Sequence, residues 1–145
     1  MKRSTSNMKL ITENRDKLYI KQAVAMSMLE EAIRVFPREA CGMLGGSRRR
    51  VAKVYPTKNL EKGNMTYEVD PVEAFNVIKQ MREEGNELIA SWHSHPMSEA
   101  YPSMIDTAKA VDAGLVYVIV SLSDIDIRAY YIEGDWIKEL EVIIE

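Results

Sequence analysis

The stretch Trp92-His93-Ser94-His95-Pro96 holds both histidines of this 145-residue chain. It continues a run, Glu87 to Trp92, whose apolar pattern predicts a β-strand. Side chains at positions i and i+2 of a strand point to the same face, so both imidazoles can reach one cation at the ~2.0–2.1 Å that zinc requires. The pattern therefore predicts a metal site at the end of the strand, with a pair of exposed surface histidines as the alternative.

A second group of polar residues follows the histidines at the start of a predicted helix. Ser103 lies eight residues after His95, and Asp106 lies three residues further on. Ser-x-x-Asp is also a capping box, in which both side chains only satisfy free backbone N–H groups. If the intervening loop returns the chain to the histidines, Asp106 completes a His-His-Asp site. Three protein ligands leave the fourth tetrahedral position to water, as in catalytic zinc sites.

Glu39 is the carboxylate that stands out as a candidate general base. It lies between Pro37, which ends a predicted helix, and the small-residue strand that begins at Ala40. A charge at the edge of a core strand is costly unless it is paired or functional. The alternative is a solvated loop glutamate, and local sequence leaves both open.

Composition excludes several classes of protein. Apolar residues make up 46% and charged residues 28%, as in an ordinary globular domain. The net charge of −3 argues against nucleic acid as the main partner. No apolar run approaches the ~18 residues of a membrane helix, so we expect no membrane association. The single cysteine, Cys41, cannot form an internal disulfide and favours a cytoplasmic location. A nucleophilic Cys41 is a further alternative, although a buried free cysteine is usually inert.

The order of predicted elements indicates one α+β domain. Residues 1–16 read as a polar N-terminal arm and residues 17–145 as the domain. Because several strands follow one another without helices between them, we expect one sheet flanked by helices. The predicted strands are 18–20, 41–46, 51–55, 66–69, 87–92, 115–122, 127–132 and 136–144, and the predicted helices are 21–36, 70–85 and 102–114.

Taken together, the motifs resemble a known family. His93-x-His95, seven further residues and Ser103-x-x-Asp106, preceded by Glu39 in the context Pro-x-Glu-x-Cys-Gly-x-Leu-x-Gly, resemble the JAMM motif of the MPN+ metalloproteases. The resemblance extends over most of the chain. It implies a central, mostly antiparallel β-sheet flanked by helices, in a three-layer arrangement similar to that of cytidine deaminases.

The resemblance also implies an activity. Family members are zinc isopeptidases that remove ubiquitin or ubiquitin-like proteins, and some prokaryotic members process sulfur-carrier proteins. It implies one zinc per chain held by His93, His95 and Asp106, with Glu39 as general acid/base and Ser103 as oxyanion stabiliser. None of these five positions is substituted, which argues against the metal-free scaffolds of the same family, the alternative function.

The sequence says less about the substrate than about the metal site. Large insertions that grip ubiquitin in eukaryotic enzymes are absent between Gly63 and Gly85, which suggests a small prokaryote-like enzyme acting on a ubiquitin-like or sulfur-carrier protein. Met97 and Met104 flank the site and are candidate substrate contacts. The sequence leaves the oligomeric state open between a monomer and a homodimer.

Overall fold

A computed structural model describes residues 15–145 of the chain. The predicted N-terminal arm, residues 1–16, therefore lies mostly outside the described residues. Its last residue is tied to the domain: the Asp16 carbonyl accepts a hydrogen bond from the Glu141 N–H at 2.9 Å, and its carboxylate pairs with Lys138 at 2.7 Å.

Strands account for most of the regular structure between residues 17 and 144. In chain order the elements are β1 (Lys17–Ile20), α1 (Gln22–Val35), β2 (Cys41–Ser47), β3 (Arg50–Thr57), α2 (Pro71–Glu83), β4 (Glu87–His95), α3 (Met104–Lys109), β5 (Val116–Ser121), β6 (Asp126–Glu133) and β7 (Trp136–Ile144).

The strands form a single sheet that closes on itself. Their order is β1-β3-β2-β4-β5-β6-β7, and β1 pairs with both β3 and β7. Those two pairs and β4–β5 are parallel, whereas β2–β3, β2–β4, β5–β6 and β6–β7 are antiparallel. The expected α+β class with a mostly antiparallel sheet flanked by helices is confirmed. Closure was not predicted, because it depends on the short strand β1 joining two distant edges.

Helix α1 fills one side of this sheet with the apolar face that its sequence predicts. The buried helix residues Met28 and Ala32 join the same core cluster as Leu44 of β2, Trp92 of β4 and Val118 of β5. Strand alternation then turns the neighbouring residues of β4, His93 and His95, to the opposite side of the sheet. Packing of α1 thus decides which face of β4 is left for the site.

One predicted strand, Thr66–Val69, is wrong. The segment has no strand pairing, and its backbone groups are satisfied locally instead. The Asn59 amide binds the Thr66 carbonyl at 3.2 Å and the Glu68 N–H at 3.0 Å, and the Glu68 carbonyl accepts from the Leu60 N–H at 2.8 Å. These contacts occupy backbone N–H and carbonyl groups that a neighbouring strand would need, so the segment does not join the sheet.

The third predicted helix is shorter than expected, and one strand is longer. Helix α3 ends at Lys109 rather than near Gly114, since the chain turns extended at Ala110 and the Asp112 carboxylate accepts the Gly114 N–H at 3.0 Å. Strand β3 runs through Pro56 to Thr57. Strand β1 covers β3 only at Arg50 and Val51, so Pro56 lies on an uncovered edge, where its missing N–H is tolerated.

Helix α2 begins and ends as predicted, but most of its apolar face is not buried. Asp70 caps it by accepting the Val72 N–H at 2.9 Å, and Pro71 is its first residue. Met81 is fully buried, whereas Val72 and Phe75 are 67% and 69% exposed. Of these three residues only Met81 therefore reaches the core.

Candidate active site

The two histidines end strand β4, as the sequence predicts, but they are not at the surface. The strand pairs with β2 on one side and β5 on the other, and both imidazoles are buried. His95 Nδ1 is 2.8 Å from the Glu99 carbonyl. Because a carbonyl only accepts, Nδ1 must carry a proton, and in neutral His95 the lone pair is on Nε2. His95 Nε2 lies 3.1 Å from His93 Nε2.

Helix α3 brings Asp106 to the same point. Its N-terminal turn forms a capping box: the Asp106 N–H donates to Ser103 Oγ at 3.1 Å, and the Ser103 N–H donates to Asp106 Oδ2 at 2.9 Å. The same Oδ2 lies 3.1 Å from His93 Nε2 and 3.0 Å from His95 Nε2. The capping interpretation is thus correct, and it holds Asp106 against the histidines at the same time.

This donor set fits a metal ion. Three ligand atoms from buried residues converge within 3.0–3.1 Å of one another. Tetrahedral zinc with bonds of ~2.0–2.1 Å places its ligand atoms about 3.3 Å apart, so only a few tenths of an ångström separate the two arrangements. Two imidazole nitrogens and one carboxylate oxygen also suit zinc chemically.

The charges of the triad are strongly coupled. Burial lowers the pKa of His93. Burial also opposes ionisation of His95, but the Asp106 carboxylate and the Glu99 carbonyl outweigh it and raise the pKa of His95. Burial alone would raise the pKa of Asp106, yet hydrogen bonds with both histidines hold that pKa well below its ordinary value. A metal ion must therefore displace a proton from this cluster, which makes metal affinity fall at low pH.

Glu39 lies beside the triad and is buried, being only 5% exposed. The adjoining peptide is held by β4: the Ala40 N–H donates to Ser94 Oγ at 2.8 Å, and the Ser94 N–H donates to the Ala40 carbonyl at 3.0 Å. Glu39 Oε1 is buried and has no hydrogen-bond partner. The solvated-loop alternative is therefore wrong, and the side chain offers a free acceptor.

The environment of Glu39 favours a proton. Burial, assisted by the negative charge of Asp106, raises the pKa of Glu39 to about 7, and the charges of His95 and Lys109 oppose that rise. A carboxyl group with a pKa near 7 can both accept and return a proton at neutral pH. This is the property that a general acid/base requires.

Tyr67, Asn59 and Lys109 belong to the site but were not found from the sequence. The Tyr67 ring stacks on the His93 ring, with centroids 4.6 Å apart and planes 24° from parallel. The Lys109 ammonium group donates to the Tyr67 carbonyl at 2.6 Å, which joins α3 to the loop before α2. The assignment of Thr66–Val69 to a strand concealed these contacts, and the only available signal was a tyrosine in an irregular polar segment.

Cys41 does not have the environment of a nucleophile. It is fully buried in β2, opposite His93 in the strand register, and its Sγ faces Thr57 Oγ1 at 3.5 Å. Burial raises the pKa of the Cys41 thiol, so the reactive thiolate is disfavoured. The free cysteine is best described as part of the packing between β2 and β3.

The two methionines that flank the site are exposed. Met97 follows His95 by two residues and is 78% exposed, and Met104 follows Ser103 and is 89% exposed. An exposed methionine adds little to the folded core. Its flexible side chain can instead adapt to varied apolar partners. Their positions are compatible with the expected role as substrate contacts.

Comparison with known proteins identifies the family. The family described as prokaryotic homologs of the JAB domain matches residues 21–133, which include every predicted site residue. The chain belongs to this family. The resemblance to JAMM/MPN+ metalloproteases is thereby confirmed.

Characterised relatives of this JAB-family chain are similar over most of its length. It is 34% identical over 112 residues to a desampylase of Haloferax volcanii, covering 75% of this chain and 80% of that protein. It is 32% identical over 127 residues to the CysO-cysteine peptidase of Mycobacterium tuberculosis, covering 84% and 87%. A solution structure of a protein from Desulfitobacterium hafniense is 33% identical, with a TM-score of 0.81 over 88% of this chain and 92% of that chain.

Proposed function

We propose that the chain is a zinc-dependent peptidase that releases a ubiquitin-like or sulfur-carrier protein from its conjugates by cleavage after a C-terminal Gly-Gly. The buried His93–His95–Asp106 triad with Glu39 beside it is the observation that carries this proposal. The names of the relatives support it, since one is a desampylase and the other a peptidase acting on CysO-cysteine. The proposed location, the cytoplasm, rests on the single free Cys41.

One zinc per chain would be held by His93 Nε2, His95 Nε2 and Asp106 Oδ2. When bound there, zinc supplies a water of lowered pKa and a Lewis acid for the substrate carbonyl. The protein contributes the orientation of its ligands, through the Glu99 carbonyl at His95 and the capping box at Asp106. These supporting contacts fix the donor atoms before any ion arrives.

Glu39 is the proposed general acid/base. Its unpartnered Oε1 accepts the proton of the attacking water, and the same carboxyl group then donates it to the leaving amine. The raised pKa makes both transfers accessible at neutral pH. An isopeptide substrate would leave as a lysine ε-amine, whereas a linear conjugate would leave as an α-amine.

Ser103 is the proposed oxyanion stabiliser. Its Oγ accepts the Asp106 N–H, which uses one lone pair and leaves the hydroxyl proton free. That proton can be donated to the substrate carbonyl oxygen as negative charge develops there. Capping and catalysis are therefore compatible in one side chain.

The substrate tail would reach this centre in an extended conformation. The glycines at the end of the tail have no side chains and can therefore reach the buried residues His93, His95 and Asp106. Residues further from the scissile bond would contact the exposed residues around the site, here called the rim. Met97 and Met104 are the proposed apolar contacts on that rim.

The test is cleavage of defined fusions by the zinc-loaded protein. Ubiquitin-like and sulfur-carrier proteins ending in Gly-Gly are joined to a lysine side chain, a linear peptide or a single amino acid. We expect cleavage after Gly-Gly that a zinc chelator abolishes and added zinc restores, and Cys41→Ala should cleave like the wild type. If zinc-loaded protein cleaves none of these conjugates, the chain is a scaffold rather than a peptidase. If a chelator has no effect, the metal-dependent mechanism is wrong.

A further inference from the structure

The side chain of Asn59 makes four hydrogen bonds in the loop between β3 and α2. Its Nδ2 donates to the Glu39 carbonyl at 3.0 Å and to the Thr66 carbonyl at 3.2 Å. Its Oδ1 accepts from the N–H groups of Glu61 at 2.9 Å and Glu68 at 3.0 Å. An amide side chain has two donor hydrogens and two acceptor lone pairs, so the capacity of Asn59 is fully used.

The first of these bonds fixes the peptide next to the proposed base. The Glu39 carbonyl and the Ala40 N–H belong to the same peptide unit. Asn59 holds the carbonyl end and Ser94 Oγ holds the N–H end, at 3.0 and 2.8 Å. Because Ser94 lies between the two histidines in β4, this peptide is fixed between the metal-binding strand and the loop. Fixing this peptide fixes the backbone from which the Glu39 side chain leaves, and so restricts where its carboxylate can lie.

The other bonds fix the residue that covers His93. Tyr67 lies between Thr66 and Glu68, and Asn59 binds the backbone on both sides of it. The Tyr67 ring stacks on the His93 ring. One amide therefore connects the backbone of Glu39 with the backbone that presents Tyr67 to a proposed metal ligand.

We propose that Asn59 is a positioning residue for the reaction, which orients Glu39 through its carbonyl and Tyr67 through the flanking peptides. The inference rests on the proposed function, in which Glu39 is the base. Asn59 touches neither the triad nor the substrate in this role and acts through the residues it holds. Its loss misdirects the carboxylate without removing a ligand.

The test compares two substitutions. Asn59→Ala removes all four hydrogen bonds, whereas Asn59→Asp keeps the two acceptor bonds and loses both donor bonds. We expect each zinc-loaded variant to keep its zinc and to lose kcat by about 10–100-fold, with a smaller change in KM, since misplaced catalytic groups reduce turnover steeply. Asn86→Ala is the matched control, because the Asn86 side chain donates a hydrogen bond only to the Tyr55 hydroxyl, at 3.0 Å, and its loss should leave kcat unchanged.

A double-mutant cycle separates positioning from general damage to the fold. In a Glu39→Gln background, either substitution at Asn59 should reduce the residual turnover far less than in the wild-type background, because the base that Asn59 orients is already disabled and only the Tyr67 contact remains to be lost. An equal loss in both backgrounds would overturn the inference, as would wild-type kcat in both Asn59 variants.

Amide hydrogen exchange tests the same contact without relying on activity. We expect the Ala40 N–H to exchange faster in Asn59→Ala and Asn59→Asp than in the wild type or Asn86→Ala. Unchanged exchange at Ala40 in the Asn59 variants would contradict the inference even if their cleavage falls. If the wild type cleaves no conjugate but exchange at Ala40 rises, the proposed function fails and the hold of Asn59 on the Glu39 peptide stands.

Discussion

At the scale of single residues, the unpartnered oxygen of Glu39 sets the chemistry of the site. A buried acceptor without a hydrogen bond costs about 1–3 kcal/mol, and the unpartnered oxygen of Glu39 is a group of this kind. Asp106, by contrast, has its Oδ2 surrounded by the Ser103 N–H and both histidines. Two carboxyl groups in one site thus have opposite pKa shifts, which separates a proton carrier from an anionic ligand.

The raised pKa of Glu39 predicts a pH-dependent effect on the stability of the metal-free protein. Below about pH 4.5 the group is protonated in both the folded and the unfolded state, so burial carries no penalty. As the pH rises towards 7, the unfolded chain ionises first and the folded protein loses stability. We expect metal-free Glu39→Gln to be more stable than wild type at pH 8, by on the order of 1–3 kcal/mol, and equally stable at pH 4.

Urea unfolding of both metal-free proteins at the two pH values measures this difference. Glu39→Asp, which keeps an ionisable group, serves as the control and should retain the pH dependence. Equal stability of wild type and Glu39→Gln at pH 8 would mean that the Glu39 carboxylate is solvated in the folded protein.

At the scale of elements, the short helix α3 carries two functions in its first turn. Its six residues begin at Met104, directly after the cap Ser103, and include Asp106 at the position that closes the capping box. The negative charge of Asp106 is favoured at a helix N-terminus, which helps keep it ionised beside the histidines. Displacing this turn would therefore alter both helix stability and the metal site.

Substitution of Ser103 distinguishes its two roles. Ser103→Ala should cost about 1 kcal/mol of stability as a lost cap and lower kcat by ~10²–10³-fold as a lost oxyanion donor. Ser103→Thr keeps the hydroxyl and should recover part of the turnover. Zinc content is measured in parallel, so that displacement of Asp106 is recognised. If both variants turn over normally and only melt earlier, Ser103 is a cap alone.

Strand β4 and helix α3 show which parts of the site local sequence patterns can predict. Spacing within one strand predicts that His93 and His95 share a face, and spacing within one helical turn predicts the Ser103–Asp106 box. Both are local rules, and the structure agrees with them. The irregular segment around Tyr67 is held instead by contacts with Asn59, Leu60 and Lys109, which no local period records.

At the scale of the whole molecule, the site joins elements that are far apart in the chain. Glu39 precedes β2, the histidines end β4, and Asp106 lies in α3, so correct assembly of the closed sheet is required to bring them together. Sequence patterns predicted the seven strands of the sheet and one further strand, 66–69, that does not form, but not the closure through β1. The bounds of α2 were predictable as well, but Val72 and Phe75 on its apolar face remain exposed. No helix in the part of the chain that the structure describes is long and apolar enough to cross a membrane.

Because the ligands come from separate elements, metal binding should stabilise the whole fold. At a free zinc concentration about 100 times Kd, binding to the folded state alone contributes about 2.7 kcal/mol. For a chain of this size we expect Tm to rise by on the order of 10 °C. Calorimetry with and without zinc measures the shift, and Asp106→Asn, which weakens one ligand, should show a smaller one. An unchanged Tm in wild type would exclude a site that is linked to folding.

The central claim is that His95 holds the metal whereas Glu39 only moves the proton, and parallel measurement of zinc content and conjugate cleavage tests it most directly. The wild type should bind one zinc and cleave. Glu39→Gln should keep that zinc and lose cleavage, because an amide cannot accept the proton of water, and His95→Ala should lose both. Full zinc in His95→Ala, loss of zinc in Glu39→Gln, or unchanged turnover in Glu39→Gln would contradict the assignment.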